Sequence, residues 1–310
     1  MSPSIERQQL QTVHIVPLTA FHQNDQLNLD AQAAHTAKLY EAGMRVYLPG
    51  AGTSEFHSLR PEEIVELVKV TREVTGPDTL IFAPIGYQVG IARQTAIDCI
   101  EAGATGIMFM PFAHPYMSDR GAEEYYLSVM DAANCPTLFY KKAEIPSDAL
   151  LLELAADKRS IGVKYSVNQM HQFRTTVSAD KHGLEWICGS AERFAPYYML
   201  AGSGGFTSGA GNVCPHLSLA MHAAFVSGAY AEGMRIQHQI LPIEDYRARA
   251  GDSFNISMLK YAITLTGADF GPPRPPQRTL TSEQQAEIRQ LMEPILETEA
   301  ELAQQKSPAS

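Results

Sequence analysis

Glu101–Met110 reads EAGATGIMFM: the end of a helical pattern, an alanine–glycine pair, then an unbroken apolar run. Glycine tolerates the left-handed conformation that stops a helix, so a helix ending in Ala-Gly and reversing at once into a buried strand is the turn expected of a β/α repeat. The same phrase returns as EAGMRVYL (41–48) and LAGSGGFTSG (200–209). Working outward from these three, short apolar runs alternate with longer helical patterns from Val13 onward: VHIVPL (13–18), RVYLPG (45–50), TLIFAPIG (79–86), GIMFMP (106–111), PTLFY (136–140), IGVKY (161–165), LEWICG (184–189) and GGFTSG (204–209). Eight strands in this rhythm predict an α/β fold of the (β/α)8 TIM-barrel type in preference to an open doubly wound sheet.

The helical segments carry their own boundary signals. In PEEIVELVKVTREVTG (61–76), Pro61 suits the first helical position, Glu62 and Glu63 suit its positive end and Gly76 suits the stop. After the eighth strand NVCPHLSLAMHAAFVSGA (212–229) closes the barrel, so residues 1–229 are read as the catalytic barrel and 230–310 as a C-terminal helical region. That region holds one Pro-rich break, GADFGPPRPPQRTL (267–280), between FNISMLKYAITLTG (254–267) and SEQQAEIRQLMEPILETEAELAQ (282–304).

Bulk properties exclude several classes. The chain has 310 residues, 45% of them hydrophobic and 19% charged, which is globular material sufficient for one large barrel. A net charge of −10 argues against nucleic acid or an anionic membrane as partner. The start MSPSIERQQLQT has no apolar core of the signal-peptide kind, and no run approaches the roughly 18 apolar residues of a membrane span, so a cytoplasmic protein is expected. Cys99, Cys135, Cys188 and Cys214 are widely spaced and read as buried free thiols. The ten histidines form no HxH or HxxxH cluster joined to carboxylates, so neither metal nor cofactor is expected.

Chemistry in TIM barrels sits where the strands end. In IGVKYSVN (161–168), Lys164 interrupts a strand that otherwise reads as buried. It is either an edge lysine with its ammonium in water or a desolvated amine with lowered pKa, fit to attack a carbonyl. Tyr140 closes the strand before it, and a phenol beside that amine suits proton shuttling during carbinolamine formation. The loop PGAGTSEFHSL (49–59) offers small residues whose N–H groups can point at a carboxylate, with hydroxyls at Thr53 and Ser54; Glu55 reads as a brace for that loop and His57 as a possible substrate contact.

Taken in order, GAGTSEFHSL, TLFY, GVK and GGFTSGAGN resemble the dihydrodipicolinate synthase / N-acetylneuraminate lyase superfamily of class I aldolases across nearly the whole chain. The resemblance implies an imine between a barrel lysine and the C2 carbonyl of a 2-oxo acid, and a homo-oligomer, tetramer or dimer. Carried over, Lys164 is the Schiff-base lysine and Tyr140 the proton shuttle; Gly52, Thr53 and Ser54 bind the substrate carboxylate, and Gly189 and Thr207 line the pocket.

Three departures narrow the expectation. Gly52-Thr53-Ser54 stands where dihydrodipicolinate synthases have two adjacent hydroxyl residues. PFAHPY puts Phe112 and Ala113 where those enzymes carry a tyrosine pair, leaving His57, His114 or Tyr116 as substitutes for the missing relay tyrosine. YKKAEIPS lacks the usual asparagine and arginine, with Lys141 and Lys142 offering charge to an anionic sugar acid. The Glu-Phe-x-Ser-Leu continuation at Glu55, Phe56, Ser58 and Leu59 is similar to 5-dehydro-4-deoxyglucarate dehydratases. The expected function is a lyase on a 2-keto-3-deoxy sugar acid, dehydrating it or cleaving it by retro-aldol chemistry through Lys164. The alternatives are a pyruvate-dependent aldolase with another acceptor, dihydrodipicolinate synthesis being disfavoured, and a 2-oxo acid binding protein without turnover.

Overall fold

Eight parallel strands, each hydrogen-bonded to its neighbours in chain order, close into a barrel in which β1 meets β8. The computed structural model describes residues 5–112 and 116–306. The strands are β1 (Val13–Ile15), β2 (Val46–Tyr47), β3 (Leu80–Ile85), β4 (Gly106–Phe109), β5 (Thr137–Lys141), β6 (Ser160–Tyr165), β7 (Glu185–Cys188) and β8 (Gly205–Ser208). Between them run α1 (Leu29–Ala42), α2 (Pro61–Thr75), α3 (Val89–Glu101), α4 (Asp119–Ala133), α5 (Asp148–Leu154), α6 (Met170–Ala179) and α7 (Ala191–Leu200). The chain continues through α8 (Pro215–Val226), α9 (Tyr230–Arg247), the short α10 (Arg249–Asp252), α11 (Ser257–Thr264) and α12 (Ser282–Lys306). The expected TIM barrel with a helical extension is the observed fold; six of the eight expected strands enclose an observed one, and β5 and β6 each run one residue beyond theirs.

The Ala-Gly turns form as the local chemistry requires. Gly43, Gly103 and Gly202 have φ of +109°, +103° and +112°, where a Cβ would be strained. Pro61 opens α2 and Gly76 caps it through an N–H donated to the Arg72 carbonyl at 3.0 Å.

Strand residues alternate between the barrel interior and the layer of helices. On β5 and β6, Phe139 packs against Tyr126 of α4, and Tyr165 packs against Phe173 of α6 with ring centroids 5.1 Å apart. The residues between them, Tyr140 and Lys164, therefore face inward. They are direct partners across the strand pair, because the register aligns Tyr140 with Lys164. The four cysteines are buried and free. No helix among the described residues is long and apolar enough to cross a membrane.

Gly43→Ala tests the turn. The added Cβ would meet only ordinary contact with Leu219 at 3.5 Å, so the cost is backbone strain. Urea denaturation should show about 1–3 kcal/mol lost with the native spectrum unchanged.

Candidate active site

Lys164 and Tyr140 end neighbouring strands, and their side chains share one wall of a cavity of about 440 Å³ that opens at the carboxyl ends of the strands. The Lys164 Nζ stands 4.1 Å from the centroid of the Tyr140 ring, over its face. Burial drives the Lys164 pKa below the usual lysine value, with Lys142 pushing the same way against the opposing pull of Tyr140. For Tyr140, burial raises the phenol pKa, but Lys164, Lys142 and Ser166 together outweigh it and leave it below the usual value. An amine more easily deprotonated than usual thus faces a phenol more acidic than usual. Lys164 is therefore a buried amine and not an edge lysine with its ammonium in water.

Gly189 makes room for this pair. A Cβ there would stand 2.2 Å from Ser166 Oγ and 2.8 Å from Lys164 Cγ, so any side chain would displace the lysine. The Ser166 hydroxyl, two residues beyond Lys164 and on the same face, is buried, lines the cavity and stands close enough to the Tyr140 phenol to favour its anion. Thr207, on β8, also lines the cavity and donates to the Cys188 carbonyl at 3.4 Å.

The loop after β2 brings Gly52, Thr53 and His57 to the cavity. Ser54 is turned away: its hydroxyl is buried and donates to the Pro17 carbonyl, while its own carbonyl accepts from Thr19 at 2.7 Å. The tight 3-10 turn over Gly52–Ser54 rotates successive side chains by about a third of a circle, so two neighbouring hydroxyls do not share a face. The expectation of a Ser54 side-chain contact is corrected accordingly.

Lys141 is likewise turned out of the cavity. As the residue after inward-facing Tyr140 it points to the helix layer, where its ammonium donates to the Pro146 carbonyl at 2.7 Å and stands 3.5 Å from Asp148 of α5. Lys142 lines the cavity instead. His114 and Ala113 lie outside the described residues. Tyr116 is 88% exposed and does not line the cavity, and Phe112 packs against Tyr125.

Residues that sequence reasoning passed over come from α7, from α9 and from the turn before α11. Arg193 and Phe194 of α7, Arg247 of α9 and Asn255 complete the wall. Arg247 is buried, ion-paired with Glu244, and bonded to Asn255 Oδ1 at 2.9 Å and to Thr53 Oγ1 at 3.4 Å. Asn168, which also lines the cavity, accepts from Ser190 at 2.8 Å and from Tyr198 at 3.1 Å. Strand alternation from Lys164 was a usable signal for Ser166; none existed for Arg247 and Asn255. Among the described residues no group of three or more His, Cys, Asp or Glu side chains is placed to hold a metal ion.

A closed parallel barrel with its polar cavity at the strand ends is the layout of a TIM-barrel enzyme. The chain belongs to the dihydrodipicolinate synthetase family, whose model matches residues 9–295. It is 29% identical over 292 residues to a Streptomyces avermitilis protein named "Probable 5-dehydro-4-deoxyglucarate dehydratase 1", covering 89% of this chain and 91% of that one. It is 26% identical to the 4-hydroxy-tetrahydrodipicolinate synthase of Mycolicibacterium paratuberculosis, over 89% and 91% of the two chains. Among solved structures it superposes on the dihydrodipicolinate synthase of Bacillus clausii with a TM-score of 0.89 at 30% identity, over 93% of this chain and 99% of that one. The protein is an enzyme of the lyase type.

Two outcomes test this geometry. Gly189→Ala should displace the Lys164 side chain and change its rate of labelling by an amine-reactive reagent while the circular dichroism spectrum stays native. Lys164→Met should raise the urea midpoint at pH 7. A lysine whose folded pKa is lowered costs stability while the folded form keeps its proton, and that cost fades as pH rises towards 10.5, where the unfolded chain also loses it. The advantage of Lys164→Met should therefore shrink as the pH is raised towards 10.5.

Proposed function

We propose that the enzyme is a Schiff-base lyase that acts on a 2-keto-3-deoxy sugar acid, with dehydration as the favoured outcome. The observation that carries this reading is the buried Lys164 amine over the Tyr140 ring, both groups with pKa values below their usual ones. The dehydratase names of relatives such as the Streptomyces avermitilis protein support the substrate class.

The mechanism follows from the groups present. The substrate carboxylate lies against Gly52 and Thr53, with Arg247 behind the Thr53 hydroxyl. The neutral Lys164 amine attacks C2; Tyr140 moves protons between nitrogen and the C2 oxygen, and water departs to leave the protonated imine. Loss of a C3 proton then sends the C3–H electrons into the cationic imine and forms the enamine. The enamine pushes its electron pair back towards C4, and the C4 hydroxyl leaves as water after taking up a proton. Hydrolysis of the resulting imine frees the amine. Lys142 and Arg193 on the cavity wall supply charge for the far end of an acidic sugar chain.

Borohydride reduction in the presence of 2-keto-3-deoxy sugar acids should add one substrate, less one oxygen, to the intact mass and map to the peptide bearing Lys164. Lys164→Ala should give no adduct, and Tyr140→Phe should slow trapping by about 10²–10⁴-fold. Trapping with pyruvate but with none of the sugar acids would turn the reading to a pyruvate-dependent aldolase. No adduct with any 2-oxo acid would refute the imine.

A further inference from the structure

The loop that carries Thr53 is held from outside the barrel. Glu55, two residues on, adopts φ +69°, a left-handed conformation that a residue with a side chain avoids unless its surroundings impose it. Its carboxylate is fully buried. One oxygen stands 2.9 Å from the Lys260 ammonium of α11, and the other accepts the backbone N–H of Arg274 at 2.7 Å. Sequence reading took Glu55 for a brace within its own loop; the groups that hold it come from more than two hundred residues later.

Arg274 lies in the Pro-rich segment between α11 and α12, which runs as a strap against the loops that follow β1 and β2 at the barrel mouth. Its guanidinium is bidentate to Glu63 of α2, with both contacts at 2.8 Å, and also reaches Asp25 Oδ1 at 2.8 Å and the Ser58 carbonyl at 3.1 Å. Lys260 additionally donates to the Pro272 carbonyl at 3.1 Å. Both cations lie over the Phe21 ring, 4.3 and 4.0 Å from its centroid, and the Phe21 N–H donates to the Phe270 carbonyl at 3.0 Å. The strap then delivers Gln277 to the cavity rim, 3.3 Å from His57.

We propose that Lys260 and Arg274 are positioning residues for the reaction: acting through Glu55, they set the Gly52–Ser54 turn that receives the substrate carboxylate, so the strap of the C-terminal region is part of the working site. A buried carboxylate that loses the cation beside it is driven towards water. Glu55 can reach water only by pulling the neighbouring turn with it. The expected defect is therefore in holding the 2-oxo acid; the amine chemistry at Lys164, on the opposite wall, is left in place. The inference rests on the reading that this loop binds the carboxylate and that Lys164 forms the imine.

The test uses the full chain, pyruvate and borohydride, with the adduct on Lys164 read by intact mass over a range of pyruvate concentrations. Lys260→Met should raise the half-saturating pyruvate concentration about tenfold or more while the limiting trapping rate stays within about twofold. Adding Glu55→Gln to Lys260→Met should recover most of the loss, because the amide keeps an acceptor for the Arg274 N–H without leaving a buried charge unpaired. If Lys260→Met does not fold, Lys260→Gln is measured in the same way. A merely structural contact would lower the melting temperature and leave half-saturation unchanged in the folded variants; that result overturns the positioning role alone. Absence of an adduct on the unaltered chain with pyruvate and with the 2-keto-3-deoxy sugar acids alike overturns the imine reading, and this inference with it; where only a sugar acid is captured, it replaces pyruvate as the probe.

Discussion

The site depends on keeping one amine out of water. Lys164 is 5% exposed, and burial is the largest influence on its pKa. Lys164 and Tyr140 are direct register partners on adjacent strands, so neither can be moved without shifting the sheet. A sheet closed on itself resists such a shift, because every strand is bonded on both sides. The rigidity that positions the pair is thus the barrel's own, and the empty volume above Gly189 is what lets the lysine chain lie across β7.

Charge is distributed around that amine in a way that keeps it neutralisable. Of the two adjacent lysines after Tyr140, Lys141 is turned outward and compensated by carbonyls and Asp148, while Lys142 faces the cavity and helps to lower both pKa values. Arg247 is compensated by Glu244. Further back, burial and Glu244 push the Glu192 carboxyl up to about 7, and its hydrogen bonds from Ser208 and Ser218 only partly offset this. A cavity wall holding several paired ions can bind an acidic substrate without leaving a bare charge when empty.

How much was legible varies with the range of the interaction. The three Ala-Gly turns were legible because a left-handed helix stop is decided by the glycine itself. Lys164 and Tyr140 were legible because each closes one of two consecutive strands, and consecutive strands in a barrel are neighbours. Ser54 and Lys141 were misplaced for one shared reason. Residue type marks them as polar, but only the local backbone decides which way a side chain points: a 3-10 turn for Ser54 and strand alternation for Lys141. Alternation counted from Tyr140 would have chosen Lys142.

By itself the sequence determined the barrel, the C-terminal helices and the pairing of Lys164 with Tyr140, since each is written in local periodicity, turn chemistry or strand order. Only the tertiary structure decided what surrounds the pair. Arg247 and Asn255 reach Thr53, and Lys260 and Arg274 reach Glu55, across nearly two hundred residues or more of chain. No spacing rule links such positions, because their meeting depends on how the last helices and the Pro-rich strap fold back against the loops at the barrel mouth. Burial then sets the protonation of the groups so enclosed, and burial is a property of the folded neighbourhood rather than of the residue.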